Sequence, residues 1–207
     1  MRIDCASSLK LLPAVLACGL LTGCMGGAGN THVYYLVNPV AVDEPALRKE
    51  PPLAVEIMDL HIPQYLEKFQ IAMRDGENRL KYSEYNQWGE NLRKNLIRTM
   101  ARNLAALLGT EDVGTPQNRS SSLPDYRLHV HIEQFERDQD ERVRLVARWQ
   151  LSDSKSPDVQ EMHSASLAGE SEISASDYDD MVAEMQRLYG DLCRRIAESI
   201  RGHEVGE

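Results

Sequence analysis

The chain has 207 residues, of which 42% are hydrophobic and 27% charged. This size suits one ordinary domain. The formal net charge is −9, from 23 Lys and Arg against 32 Asp and Glu. That balance argues against a nucleic-acid partner, because a groove that follows a phosphate backbone needs clustered cations. It also argues against attachment to an anionic membrane through a basic patch. We therefore expect no nucleic-acid partner, and any membrane attachment must come from a feature other than a basic patch.

The N-terminus predicts a lipoprotein signal peptide over residues 1–23. Arg2 and Lys10 precede an apolar run at 11–21, which is too short for a membrane span of about 20 apolar residues. The run ends in a tetrapeptide that resembles the bacterial lipobox, Leu21-Thr22-Gly23-Cys24. In a lipobox the first three residues are recognised by the signal peptidase, and the cysteine thiol receives a diacylglyceryl group. We expect cleavage before Cys24, with its covalent lipid as the only attached group.

The Gly-rich residues that follow predict a short tether. Residues 24–32 hold the lipidated cysteine and this tether, and residues 33–207 form the folded domain. The eight residues from Met25 to His32 reach about 28 Å when fully extended. A domain held this close to its membrane needs a bridging partner to act at the opposite membrane. Cys193 remains as the only free thiol after processing, so we expect no intrachain disulfide.

Alternation and helical periodicity predict the elements of the first half of the domain. Pro63 ends the second strand, Asp75-Gly76 is typical of a hairpin turn, and Gly109 ends the helix. Strands are predicted at 33–37, 53–60, 69–74 and 79–82, one helical turn at 64–67, and a long amphipathic helix at about 87–108.

The second half continues this pattern after a polar loop at 110–125, which is either functional or merely mobile. The acidic segment 136–141 is predicted to turn the chain back, with a solvated hairpin turn at 138–141, and Ser176 is the predicted N-cap of the final helix. Strands are predicted at 126–133, 143–151 and 162–169, with a helix at about 177–201. Together these elements predict a single α+β domain with a mixed or antiparallel sheet packed by two long amphipathic helices.

Catalytic and metal-binding patterns are weak. The sequence has no P-loop, no G-x-G-x-x-G and no G-x-S-x-G. His129 and His131 share one face of a predicted strand, but no third clear ligand accompanies them, so we favour a polar sheet face over a metal site. Cys193 lies beside the apolar stripe of the last helix, which indicates a buried structural thiol. We expect no catalytic residue, no metal and no cofactor.

Aromatic residues where a strand meets the first helix suggest a partner or oligomer interface at Tyr82, Tyr85 and Trp88. Tyrosine and tryptophan serve equally well as core residues and as interface anchors. Trp88 is in phase with the apolar stripe predicted for the helix, which favours the core, whereas Tyr85 stays open. The basic row formed by Arg142, Arg144 and Arg148 is expected to pair with Glu133 and the acidic turn.

Several short motifs follow the lipobox in a fixed order: Tyr34-Tyr35-Leu36, Ile62-Pro63-Gln64-Tyr65-Leu66, Leu80-Lys81-Tyr82, Ala147-Arg148-Trp149-Gln150-Leu151 and Asp177-Tyr178-Asp179-Asp180-Met181-Val182. Their order and spacing resemble the PqiC/YmbA family of ABC-type transport auxiliary lipoproteins, over nearly the whole mature chain. One departure is the segment 88–92, where the family usually has a proline before the leucine.

The resemblance implies an outer-membrane lipoprotein that faces the periplasm and works with an MCE-domain needle protein and inner-membrane transport components to move lipids. The implied role is docking, by a homo-oligomer that surrounds a lipid exit. Met25 after Cys24 points to the outer membrane by analogy with the enterobacterial sorting rule. Two alternatives stay open. A lipid-binding shuttle or chaperone would need an apolar cavity, and an envelope hydrolase would need a catalytic site without a recognisable motif.

Overall fold

Eight strands and two long helices make up the described part of the chain, which comprises residues 31–41, 52–155 and 160–205 of the computed structural model. From His32 onward these residues belong to one compact unit. The strands are β1 Val33–Tyr35, β2 Val55–His61, β3 Gln70–Arg74, β4 Leu80–Trp88, β5 Val113–Gly114, β6 Tyr126–Arg137, β7 Val143–Asp153 and β8 Gln160–Ala168. The helices are α1 Leu92–Leu108 and α2 Tyr178–Val205, and a 3-10 turn lies at Gln64–Glu67.

The strands form one mixed sheet around β6. On one side β6 pairs antiparallel with β7, which pairs antiparallel with β8. On the other side β6 pairs in parallel with β2 and, at its far end, with β3 through Met73 and Arg137. β3 and β4 form the predicted hairpin, and β1 adds to β4 in parallel. β2 also pairs in parallel with the two-residue β5. The sheet therefore ends at β1 and β5 on one side of β6 and at β8 on the other.

Both helices pack on the same sheet, and the core lies between the two layers. Alternate residues of β7 are buried beneath α2, and the Trp149 indole Nε1–H donates to Ser199 Oγ at 3.1 Å. Tyr189 of α2 is fully buried, and its hydroxyl donates to the Leu96 carbonyl of α1 at 2.9 Å. Residues at the alternate positions of β6, such as His129 and Glu133, are exposed. The predicted α+β class, with two helices on one sheet, is confirmed.

Helix α1 begins five residues later than the sequence predicts. Trp88 remains extended because it pairs with β1, opposite Tyr35, and its N–H donates to the Phe69 carbonyl at 2.7 Å. Asn91 then caps the helix by accepting from the Lys94 N–H at 3.1 Å. Pairing with β1 and β3 thus outweighs the helical pattern of the sequence at Trp88. The predicted end is confirmed, since Gly109 adopts a left-handed φ of 66°.

The N-cap predicted for α2 is wrong by one residue. The carboxylate Oδ1 of Asp177, not the side chain of Ser176, accepts from the Asp180 N–H at 3.1 Å. The Asp177 carbonyl also accepts from the Met181 N–H at 3.2 Å, so Asp177 lies at the helix entrance. Aspartate is a strong N-cap, and its charge is favourable at the positive end of the helix dipole.

The acidic segment turns the chain between β6 and β7 as predicted, and 139–141 are exposed. The predicted solvated turn is wrong at Asp138, which is 4% exposed and accepts from Arg144 Nε at 2.7 Å. Glu136 belongs to β6 and is fully buried, where its carboxylate accepts from Arg74 Nε and Tyr65 OH, both at 2.7 Å. These ion pairs and hydrogen bonds compensate the cost of burying carboxylates.

A row of three buried polar side chains on α1 holds the segment that follows β1. Asn95 Oδ1 accepts from the Val37 N–H at 2.8 Å, and Asn95 Nδ2 donates to the Val37 carbonyl at 3.0 Å. Thr99 Oγ1 donates to the same carbonyl at 2.8 Å, and Asn103 Oδ1 accepts from the Val40 N–H at 3.1 Å. Because the three residues are spaced by four, they lie along one side of the helix. We call this row the polar ladder.

Removing the Asn95 side chain, the first residue of the polar ladder, is expected to destabilise the domain. Asn95→Ala leaves the Val37 N–H without its acceptor in a buried site, which costs about 1–3 kcal/mol. Urea unfolding should therefore show a free energy of unfolding lower by that amount. Arg102→Ala, at an exposed position on the same helix, is the control and should change it by less than about 0.5 kcal/mol. Equal stabilities for the two variants would contradict a structural role for the ladder.

Candidate docking surface

Most of the large apolar side chains that the described residues expose lie at the β1 end of the sheet. The exposed fraction is 63% for Tyr34, 59% for Phe69 and 38% for Tyr85. Val33 and Leu36, on or beside β1, are exposed as well. Exposed apolar side chains that are concentrated in one region are typical of interaction sites. We call these five residues the aromatic edge.

A bulge in β4 presents Tyr85 at this surface. Between the pairs Gln70 with Gln87 and Ala72 with Tyr82, β3 advances by two residues and β4 by five. The extra residues of β4 are held by Ser83 Oγ, which accepts from the Asn86 N–H at 2.8 Å. Bulges commonly redirect a side chain at the edge of a sheet. Tyr85 lies within this bulge and is half-exposed, whereas Ser83 is buried.

Ring contacts join the tyrosines of β1 and β4. The His32 ring lies 6.4 Å from that of Tyr34 and 5.9 Å from that of Tyr85, between centroids. His32 Nδ1 also lies 3.2 Å from Gln87 Nε2. These contacts fix the two tyrosines while leaving their outer faces exposed. Preorganised tyrosines of this kind bind a partner with little loss of side-chain entropy.

Tyr35 forms the inner side of the same strand. Its hydroxyl donates to Asn86 Oδ1 at 3.5 Å, which connects β1 to the bulge. Burial and the nearby carboxylate of Asp179, in the first turn of α2, raise the pKa of Tyr35 above its ordinary value. A phenol in this setting stays neutral at physiological pH, so it acts as a hydrogen-bond donor.

The three predicted interface residues have different surroundings. Tyr85 is exposed on the bulge, and Tyr82 is half-buried beneath Lys68, whose Nζ lies 4.2 Å from the ring centroid. Trp88 is only 3% exposed and belongs to the core, as the sequence favours, although it ends a strand instead of opening a helix. Through His32 the structure brings Tyr34 to the same surface as Tyr85, and it exposes Phe69 beside β3; neither was predicted from the sequence. An interface at this place stays a prediction.

The histidines of β6 lie on an exposed polar face with two further groups. His61 of β2 pairs with His131 across the two strands, with ring centroids 6.1 Å apart, and Asp59 pairs with His129. His61 Nε2 lies 2.8 Å from the Asp59 carboxylate. Across residues 31–41, 52–155 and 160–205, no three His, Cys, Asp or Glu side chains come together in a geometry that holds a metal ion.

Cys193 and two of the three arginines of the basic row have the surroundings that the sequence predicts. Cys193 is fully buried in α2, as expected for a structural thiol, and burial raises its pKa to about 12. Arg148 lies 3.4 Å from Glu133, and Arg144 pairs with Asp138, so these two arginines pair as predicted. Arg142 instead donates to the Gly169 carbonyl at 3.5 Å.

The predicted lipidation residue Cys24 and its recognition residues Leu21, Thr22 and Gly23 lie outside the described residues, as does the rest of the predicted signal peptide. They stay predictions from the sequence. Within the described part of the chain, neither helix carries an apolar stretch that would cross a bilayer.

Comparison with known proteins gives one family. The family model described as "ABC-type transport auxiliary lipoprotein component" matches residues 34–197. Two solved structures are similar in fold. One, titled an uncharacterized protein, is 20% identical with a TM-score of 0.63, over 82% of this chain and 99% of that one. The other, a Xanthomonas campestris protein of family DUF330, is 12% identical with a TM-score of 0.59, over 86% and 97%. No curated protein matches the sequence.

The buried thiol yields a prediction about reactivity and pH. Because burial raises the pKa of Cys193 to about 12 from 9.0, the folded protein at pH 9 holds ~10³-fold less thiolate than the unfolded chain, and alkylation slows accordingly. Between pH 9 and about 12 the unfolded chain loses the Cys193 proton while the folded protein keeps it. The contribution of the protonated thiol to the free energy of unfolding is therefore complete below pH 9 and falls as pH rises towards 12. Alkylation by iodoacetamide, measured on the Cys193 peptide with and without urea, tests this. Equal rates would contradict the burial.

Proposed function

The chain belongs to the family of ABC-type transport auxiliary lipoprotein components, and from this membership we propose that it docks an MCE-type lipid transport system at the outer membrane. In this proposal a lipid on Cys24 holds the domain at the periplasmic face of that membrane. The aromatic edge binds an MCE-domain needle protein, which is linked to inner-membrane transport components. The role is one of docking and not of catalysis.

The aromatic edge is the observation that carries the docking proposal. Tyr34, Tyr85 and Phe69 are the residue types that anchor protein interfaces. They are exposed on a framework that the polar ladder and the β4 bulge hold in place. A surface that is rigid before binding loses little entropy when it docks a partner.

The position of this surface in the chain supports its orientation in the proposal. Val33 begins β1 nine residues after the proposed lipid-bearing Cys24. Nine residues span at most about 32 Å. The aromatic edge therefore stays near the membrane in which the lipid is inserted, where a partner that arrives from the opposite membrane ends its path.

The free ends of the sheet support the proposed homo-oligomer. Among the described residues, the outer sides of β1 and β8 have no strand partner. β8 is nine residues long, and its outer side offers a regular row of backbone N–H and C=O groups. Such edges pair readily with a second chain. Repeated pairing of unlike edges would arrange copies around the lipid exit, as the proposal requires.

Replacing the two exposed tyrosines is expected to weaken capture of the needle protein. In crosslinked, detergent-solubilised envelopes, Tyr34→Ala with Tyr85→Ala should reduce recovery of an MCE-domain protein at least tenfold, because two anchors contribute about 2 kcal/mol or more in sum. Leu123→Ala, in the loop at 110–125 and 91% exposed, is the matched control and should leave recovery unchanged. Loss of recovery in the control alone would place the docking surface on this loop and overturn the proposal.

Anchoring has a separate test. Cys24→Ser removes the thiol that receives the lipid, so the protein is expected in the soluble periplasmic fraction, with the domain still folded. Density-gradient fractionation of the wild-type envelope should place the acylated protein with outer-membrane markers. Cofractionation with inner-membrane markers would contradict the outer-membrane assignment, and membrane retention of the Cys24→Ser variant would contradict anchoring by this lipid.

A further inference from the structure

A groove with an apolar floor and a cationic wall runs along the outer side of α1. Its volume is about 420 Å³, and it lies between α1 and the segment 113–118. Ile97 and Ala101 of α1 and Val113 of β5 form the floor. Lys94, Arg98 and Arg102 form one wall, and because they are spaced by four residues they follow the helix axis.

The cations of this wall are unusual for the chain. The whole protein carries a net charge of −9, yet α1 contains four basic residues and no acidic one. Arg98 pairs with Glu90, and Arg93 lies 3.7 Å from Glu67. Within the described part of the chain, Arg102 has no acidic partner. Lys94 has an electrostatic contact with Glu90, which also lines the groove and is already paired with Arg98, so the wall keeps an excess of positive charge. They are about 12 Å apart along the helix, at 1.5 Å per residue.

Two carboxylates hold the opposite wall in place. Glu56 accepts from Arg119 Nη1 at 2.8 Å and from the Ser120 N–H at 3.1 Å. Asp112 accepts from Ser120 Oγ at 2.7 Å, and the hydrogen bonds from the serines lower the pKa of Asp112. A side chain at Gly114 would collide with the Glu56 carboxylate, so glycine permits this close approach. The loop at 110–125 is therefore folded against β2.

The chemistry of the groove favours an amphiphile over a peptide. Thr115 and Asn118 bond to each other through both backbone N–H groups, at 2.7 and 3.1 Å, and the backbone of α1 is bonded within the helix. The walls thus present no row of backbone groups to a strand. The volume is that of a small-molecule site, whereas a stable protein interface buries about 800 Å² on each partner. An excess of positive charge beside an apolar floor, three cations against Glu90, complements an anionic head and an acyl chain.

We propose that this groove binds an anionic phospholipid, with its phosphate between Lys94 and Arg102 and one acyl chain on Ile97, Ala101 and Val113. The inference goes beyond docking, since the aromatic edge contributes no residue to the groove. It assigns the domain a lipid contact of its own. Arg102 provides the charged hydrogen bonds to the phosphate, and Ala101 leaves the space that the chain occupies.

Photolabelling of the full-length acylated protein in detergent micelles tests the proposal. The probes are phosphatidylglycerol and phosphatidylcholine with a diazirine in one acyl chain, at equal mole fractions. Phosphatidylglycerol should label peptides that contain Ile97–Arg102 or Val113–Asn118, and phosphatidylcholine should label them at least fivefold less. Arg102→Glu should reduce labelling about tenfold, since a hydrogen bond to a charged group contributes about 1.5–3 kcal/mol.

Two variants separate charge from space. Arg195→Glu is the charge-matched control. Arg195 is another exposed helical arginine, and the structure gives it no ion pair within the described residues. This variant should be labelled as the wild type is. Ala101→Trp fills the floor and should abolish labelling of the groove peptides while circular dichroism confirms the fold. The proposal is overturned if labelling of the groove peptides is the same for both headgroups, or if it is unchanged in Arg102→Glu or in Ala101→Trp. Competition by inorganic phosphate as effective as that by unlabelled phosphatidylglycerol also overturns it.

The labelling experiment tests the lipid groove independently of the docking role. The tyrosine variants leave the groove intact, so failed capture with normal labelling rejects docking alone. Normal capture with failed labelling rejects the lipid site alone.

Discussion

The polar ladder of α1 is the constraint on which the candidate docking surface depends. β1 has three residues and pairs only with β4 among the described strands, so strand pairing alone gives it little stability. Asn95, Thr99 and Asn103 satisfy the backbone that follows it, each less than 3% exposed. Val40 then lies against Gly190 of α2, where a Cβ would approach within 2.7 Å. The aromatic edge is held in place because the segment that follows β1 contacts both helices, with Val37 buried and bonded to α1 and Val40 against α2.

Buried carboxylates impose the same kind of order elsewhere. Glu136, Asp138 and Glu56 are each 4% exposed or less, and each accepts from an arginine. Each also binds a backbone N–H or shapes a turn, as Asp138 does by accepting from the Asp140 N–H at 2.9 Å. An acidic protein thus uses its arginines to bury acidic side chains of β2, of β6 and of the turn after β6. Lys94 and Arg102 are not used in this way, which makes them available to an external anion.

The sequence predicts every helix and every strand of more than two residues, because their hydrophobic periodicity is clear. The sequence-based prediction is wrong where contacts between distant residues determine the local structure. Trp88 has the right helical phase, but pairing with Tyr35 keeps it in β4. The burial of Glu136 and Asp138 was not predicted because their arginine partners, Arg74 and Arg144, are not identifiable from the sequence. The aromatic edge was predicted only through Tyr85, since a bulge and a parallel pairing bring Tyr34 beside it.

One signal for the ladder was present in the sequence. Asn95, Thr99 and Asn103 repeat every four residues on a helix whose apolar stripe is already complete, and buried polar groups in such a row require partners. The cationic row at Lys94, Arg98 and Arg102 is the same repeat shifted by one residue, so it lies about 100° further around the helix. α1 therefore holds the β1 segment on one side and faces the groove on the next. With no glycine or proline between Leu92 and Leu108, the helix keeps the two surfaces at a fixed separation, and a lipid can occupy the groove without displacing a docked partner.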